Sequence, residues 1–180
     1  MKDKGSKLMR NDRKRPISEA KKREIIEHIA SCGYDIFISV NLPINIRTNN
    51  LDRARFQLYY LMKGFFKVCC GASWYKHVLP FHAFIELGED LNYHFHIAMK
   101  TNEHNDFKKI KDCFNIIAKN RNFHTYVIDV TKIEEGTENK VISYINKLYN
   151  DENDSKKLVA YTHFFPTKSK INEKLFCRSY

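Results

Sequence analysis

The chain has 180 residues, 43% of them hydrophobic and 29% charged, which suits one domain with a buried core and is too short for two comfortable ones. That balance excludes a disordered chain, no apolar run reaches the length of a membrane span, and the basic, polar N-terminus does not read as a secretory signal. The net charge of +10 favours a polyanionic partner, nucleic acid ahead of an anionic membrane surface.

Residues 1–17 are polar and basic and read as a flexible arm, with residues 18–180 forming a single domain. The arm's "RKRP" resembles a nuclear-import patch. From Ser18 a short helix is expected: the serine can cap it, Ile25, Ile26 and Ile29 share a face, and Gly33 can stop it. "YDIFISVN" (34–41) is β-branched and aromatic and predicts a strand. Apolar residues at helical spacing predict a long helix over 51–71, ending at Gly71. Two strands follow, 81–87 and 93–99, then an amphipathic helix over 102–120, a strand over 123–131, a helix over 138–150 and a last strand over 157–164. The β-α-β-β-α-β run is that of an α+β, ferredoxin-like (split βαβ) antiparallel sheet of about five strands, with both central helices on one face. The other face is left for the last helix and a ligand.

The five cysteines are odd in number and form no C-x-x-C pair, so they read as reduced thiols of a cytosolic or nuclear protein. The chemistry gathers on the hairpin 81–99. Phe81, Ala83, Ile85, Leu87 and Tyr93, Phe95, Ile97, Met99 make one hydrophobic face. The opposite face carries Glu86, His94 and His96. If Gly88 and Asn92 close the turn, Glu86 lies directly across from His94. Facing Cβ atoms are then roughly 4.5–5.5 Å apart, close enough for two imidazoles and a carboxylate to share a cation. Mixed nitrogen and oxygen donors suit Mn²⁺, Mg²⁺, Co²⁺ or Zn²⁺. The competing reading is solvated histidines on an open strand. His82 shares the face as a fourth or substitute ligand or, better, a supporting residue.

"YHFHI" (93–97), Glu86 eight residues before His94, "FISVNLP" (37–43) and "YINK" (144–147) together resemble the motifs of HUH endonucleases, in particular the rolling-circle replication initiators (Rep proteins) of circular single-stranded DNA viruses and plasmids. The resemblance spans residues 37–147; the histidine motif with its glutamate is its specific part, and Y-x-x-K alone is weak. It implies an HUH-type ferredoxin-like fold and a divalent metal, Mn or Mg, on Glu86, His94 and His96. It further implies a nucleophilic Tyr144 that forms a 5′-phosphotyrosine link, with Lys147 on the same helix face. Tyr149 is the rival nucleophile. The implied activity is nicking and joining of single-stranded DNA at an origin stem-loop, in the host cytoplasm or a eukaryotic nucleus. The chain carries no P-loop motif, so unwinding and synthesis would need a separate or host helicase and polymerase.

Lys140, Arg47, Arg53, Arg55, Trp74, Tyr75 and Lys76 are candidates for a basic, aromatic DNA surface, with Trp74 equally suited to anchoring a loop in the core. An HUH-type transposase would use the same site. A non-catalytic nucleic-acid-binding regulator on the same fold would bind without metal and tolerate loss of Tyr144. Two-histidine RNA phosphodiesterases need two H-x-[ST] motifs, which the sequence lacks.

Overall fold

The computed structural model describes residues 18–88, 91–119, 126–134 and 158–160. Within them the chain is α+β: an open antiparallel sheet with three α-helices. The strands are β1 (Ile36–Asn41), β2 (Phe81–Leu87), β3 (Tyr93–Met99), β4 (Val127–Lys132) and a three-residue β5 (Leu158–Ala160). Their order across the sheet is β4-β1-β3-β2-β5. Helix α1 (Glu19–Ser31) precedes β1, α2 (Leu51–Cys70) joins β1 to β2, and α3 (Phe107–Lys119) joins β3 to β4. Because β3 pairs antiparallel with both β1 and β2, β1-α2-β2 is a βαβ unit split by an inserted strand. β3-α3-β4 is split by β1 in the same way. The result is consistent with the ferredoxin-like arrangement expected from the element order.

Local chemistry sets the helix ends. The Ser18 hydroxyl accepts from the Lys21 amide at 3.3 Å, and the Asn50 side-chain oxygen, Oδ1, accepts from the Arg53 amide at 2.9 Å. Helix α2 stops at Gly71, whose φ of +69° suits a residue without a Cβ. The third helix starts at Phe107 rather than 102. Asn102 and Asn105 pair in a tight turn, and Asp106 then accepts from the Lys109 amide at 2.8 Å. β1 starts at Ile36, two residues later than expected, and at that boundary the Asp35 carboxylate accepts from the Thr101 amide at 2.8 Å.

The main core lies between the sheet and the α2–α3 layer. Leu58, Leu61, Met62, Phe65 and Phe66 of α2, with Ile110, Phe114 and Ile117 of α3, cover the uniform hydrophobic face of β2 and β3. Phe65 and Phe114 stack at 4.3 Å between the two helices. The opposite face has a smaller cluster, in which Ile25 and Ile29 of α1 pack on Phe84, Ala98 and Leu158. So α1 covers part of the face expected to remain for the last helix and a ligand. The helix expected over 138–150 lies outside the described residues.

Candidate metal centre

The β2–β3 turn closes as the sequence requires, with the Gly88 amide donating to the Asn92 carbonyl at 2.9 Å. The register puts Glu86 opposite His94 and Phe84 opposite His96. Glu86, His94 and His96 therefore project together from the face opposite the main core.

One carboxylate oxygen, Oε2 of Glu86, stands 3.2 Å from His94 Nε2 and 3.0 Å from His96 Nε2. The three donor atoms all lie within 4.8 Å of one another. Donors at right angles around an ion, each roughly 2.1 Å from it, are about 3.0 Å apart. The two Glu86–histidine separations are close to that spacing, so the group could hold a divalent cation. The side chains of His96 and Glu86 are 8% and 11% exposed and that of His94 24%, so the cluster opens to solvent on the His94 side.

The surroundings fix the ligand set. Ser39, opposite His96 in the β1–β3 register, places its hydroxyl 3.2 Å from His96 Nδ1. When Nε2 gives its lone pair to a cation, the His96 proton sits on Nδ1 and donates to Ser39 Oγ, locking tautomer and ring orientation. Phe37, on the same strand face, stacks on the His96 ring with centroids 5.6 Å apart and planes at 15°. The alternation in "FISVN" places Phe37 and Ser39 on one face; their contact with His96 depends on the register between β1 and β3, which sequence reading did not assign. Asp129, an exposed carboxylate on β4, continues the same ladder beyond Ser39.

His82 is held away from the cluster. It lies four residues before Glu86 on β2, about 13 Å along the strand. Its Nδ1 is hydrogen-bonded to the Tyr34 hydroxyl, and its ring meets His28 of α1 edge-on at 5.8 Å. It is a buried polar residue beneath α1 and not a fourth ligand.

The DNA-contact candidates divide by position. Arg47 sits in the loop after β1, where the Thr48 carbonyl accepts from the Tyr93 amide at 2.9 Å, so this loop borders the His94 end of the sheet. Arg53 and Arg55 lie in the first turns of α2, also toward that end but on the helical side. Trp74 and Lys76 are in a 3₁₀ segment (Gly71–Lys76) that leads to the start of β2, the end remote from Glu86. Trp74 packs against the main core, so the structure gives it the anchoring role, and the neighbouring Tyr75 is exposed with Lys76 Nζ 5.7 Å from its ring. Lys140, Tyr144 and Lys147, and the rival Tyr149, lie outside the described residues.

Cys32, Cys69, Cys70 and Cys113 form no disulfide among the described residues. No helix among the described residues is long and apolar enough to cross a membrane. No protein-family model, curated protein or solved structure matches the chain.

Proposed function

We propose that this chain nicks and rejoins single-stranded DNA by the HUH mechanism, on a ferredoxin-like domain, and so initiates rolling-circle replication. The observation that carries the proposal is the convergence of His94 Nε2 and His96 Nε2 on one oxygen of Glu86, on a sheet face open at one side. A split-βαβ sheet with a histidine pair on a central strand and an acid on its neighbour supports the same reading.

Glu86, His94 and His96 would hold the cation, Mn²⁺ or Mg²⁺, whose contribution is to polarise the scissile phosphate as a Lewis acid. Ser39 keeps His96 in the tautomer that presents Nε2. The Phe37 ring shields one face of that imidazole from water. Tyr144 is the proposed nucleophile. Its phenol oxygen bonds to phosphorus while the bond from phosphorus to the 3′ oxygen breaks, and the phenolic proton is lost as the leaving oxygen becomes a 3′-OH. The 5′-phosphotyrosine link retains the bond energy, so a second 3′-OH can reverse the step and join strands. Lys147, three residues beyond Tyr144, would share its face on the helix expected from the sequence, and is proposed to favour the phenolate or orient the phosphate.

The test is a covalent-adduct assay on single-stranded DNA with Mn²⁺. The expected adduct survives denaturing electrophoresis, is lost in Tyr144→Phe and is lost in EDTA. An adduct that persists in Tyr144→Phe rejects the assigned nucleophile. Cleavage that persists in EDTA rejects the metal role. Tight DNA binding with no adduct under any condition favours a non-catalytic regulator.

A further inference from the structure

The charge of the described residues is unevenly placed. Helix α2 carries Arg53, Arg55, Lys63 and Lys67 against Asp52 alone, and α3 carries four lysines against Asp112 alone. The remaining described residues hold seven basic against nine acidic side chains. Within the described residues, then, the positive excess belongs to the helical layer, on the side of the sheet away from Glu86, His94 and His96.

One stripe of α2 adds aromatic surface to that charge. Arg53, Phe56, Tyr60, Lys63 and Lys67 follow one another at steps of three and four residues, which keeps them on one face over about 21 Å of helix. Phe56 is 60% exposed and Tyr60 45%, and their rings stand 4.5 Å apart. Arg53 and Lys67 are exposed, and Lys63 reaches over Tyr59 at 5.6 Å. The buried side of the same helix already fills the main core, so these rings have no packing role that needs them outside. A large exposed aromatic beside cations is the composition of a surface that stacks bases while it neutralises phosphates.

We infer that the outer face of α2 is a second nucleic-acid contact, one that binds a single strand without regard to sequence, Phe56 and Tyr60 stacking bases between Arg53 and Lys63–Lys67. A second copy of this chain fits the face poorly, because self-pairing would bring the same cations together. An anionic membrane fits poorly as well, since the apolar face such a helix would insert is the one already buried in the core. The inference does not rest on the metal-centre reading.

Fluorescence anisotropy with a labelled thirty-residue oligothymidylate and the full chain, in EDTA, tests it. Any contribution from metal-assisted cleavage is absent there, so the adduct assay and this one fail independently. Phe56→Ala with Tyr60→Ala is expected to weaken binding at least tenfold with an unchanged circular dichroism spectrum. Lys63→Gln with Lys67→Gln is expected to flatten the salt dependence, by about 1.4 in the slope of log affinity against log salt. Affinity within twofold of wild type in the aromatic variant overturns the inference. So does retained oligothymidylate affinity together with loss of self-association in ultracentrifugation, which would assign the face to a second copy. Binding to phosphatidylserine vesicles but not to the oligonucleotide also overturns it.

Discussion

At the scale of single residues, the decisive one beyond the three candidate ligands is Ser39. A histidine binds a cation well when its other ring nitrogen is held, and Ser39 Oγ is the group that holds Nδ1 of His96. Ser39→Ala is therefore expected to lower Mn²⁺ affinity by roughly 10–100-fold, measured by isothermal titration, while leaving the melting temperature nearly unchanged. A loss of less than twofold would show that the hydroxyl does not orient the ring. The buried acids give a separate prediction. Burial pushes the thiols of Cys69 and Cys113 up from their ordinary 9.0, with neighbouring thiols adding to the effect at Cys69. Burial likewise raises the Tyr126 phenol above 10.0. Each is an acid whose folded-state pKa exceeds its unfolded one. The stability these groups contribute is complete below the ordinary values and is lost as pH rises through the raised ones. Urea midpoints should hold steady with respect to these groups up to about pH 9 and fall in more alkaline buffer. A midpoint that rises over that alkaline range would contradict the burial of these groups.

At the scale of elements, the β2–β3 hairpin was the most legible part of the chain. Alternation over "FHAFIEL" and "YHFHIAM" gives the strand ends and the two faces, and a five-residue connection gives the register that sets Glu86 across from His94. The α2 boundaries were legible too, since helical spacing begins at Leu51 and Gly71 marks the end chemically, while the Asn50 cap emerged only from the structure. The start of α3 was not. Asn102 to Asp106 can extend a helix by periodicity, and only the hydrogen bonds between Asn102 and Asn105 make the segment a turn. Nor was the packing of α1. Its isoleucine stripe shows that one side is buried, but a stripe carries no label for which sheet face will receive it. Ile29, 2% exposed, is the central contact of that helix with the Phe84–Ala98 face. Ile29→Ala should cost about 2–5 kcal/mol in urea denaturation if α1 is a full member of the fold. A cost under about 0.5 kcal/mol, the scale of a surface change, would mean that α1 does not pack as described.

At the scale of the whole molecule, the sheet separates two kinds of surface. One face carries a compact nitrogen–oxygen donor set beside α1, and the other is covered by α2 and α3, where the positive excess of the described residues lies. Composition showed that the chain is basic but not where the charge sits. That required the sheet order, which brings α2 and α3 to the same side. The helix expected over residues 138–150, with Tyr144 and Lys147, lies outside the described residues. The donor set on which the proposal depends can be tested by itself. Electron paramagnetic resonance of Mn²⁺ titrated into the purified chain reads the free ion directly. One Mn²⁺ should be withdrawn from the free signal per chain, and Glu86→Gln or His94→Ala with His96→Ala should restore the free-ion signal while the fold is retained. If the wild-type chain leaves the free Mn²⁺ signal unchanged, or if the triad variants bind as tightly as wild type, Glu86, His94 and His96 are not a manganese centre.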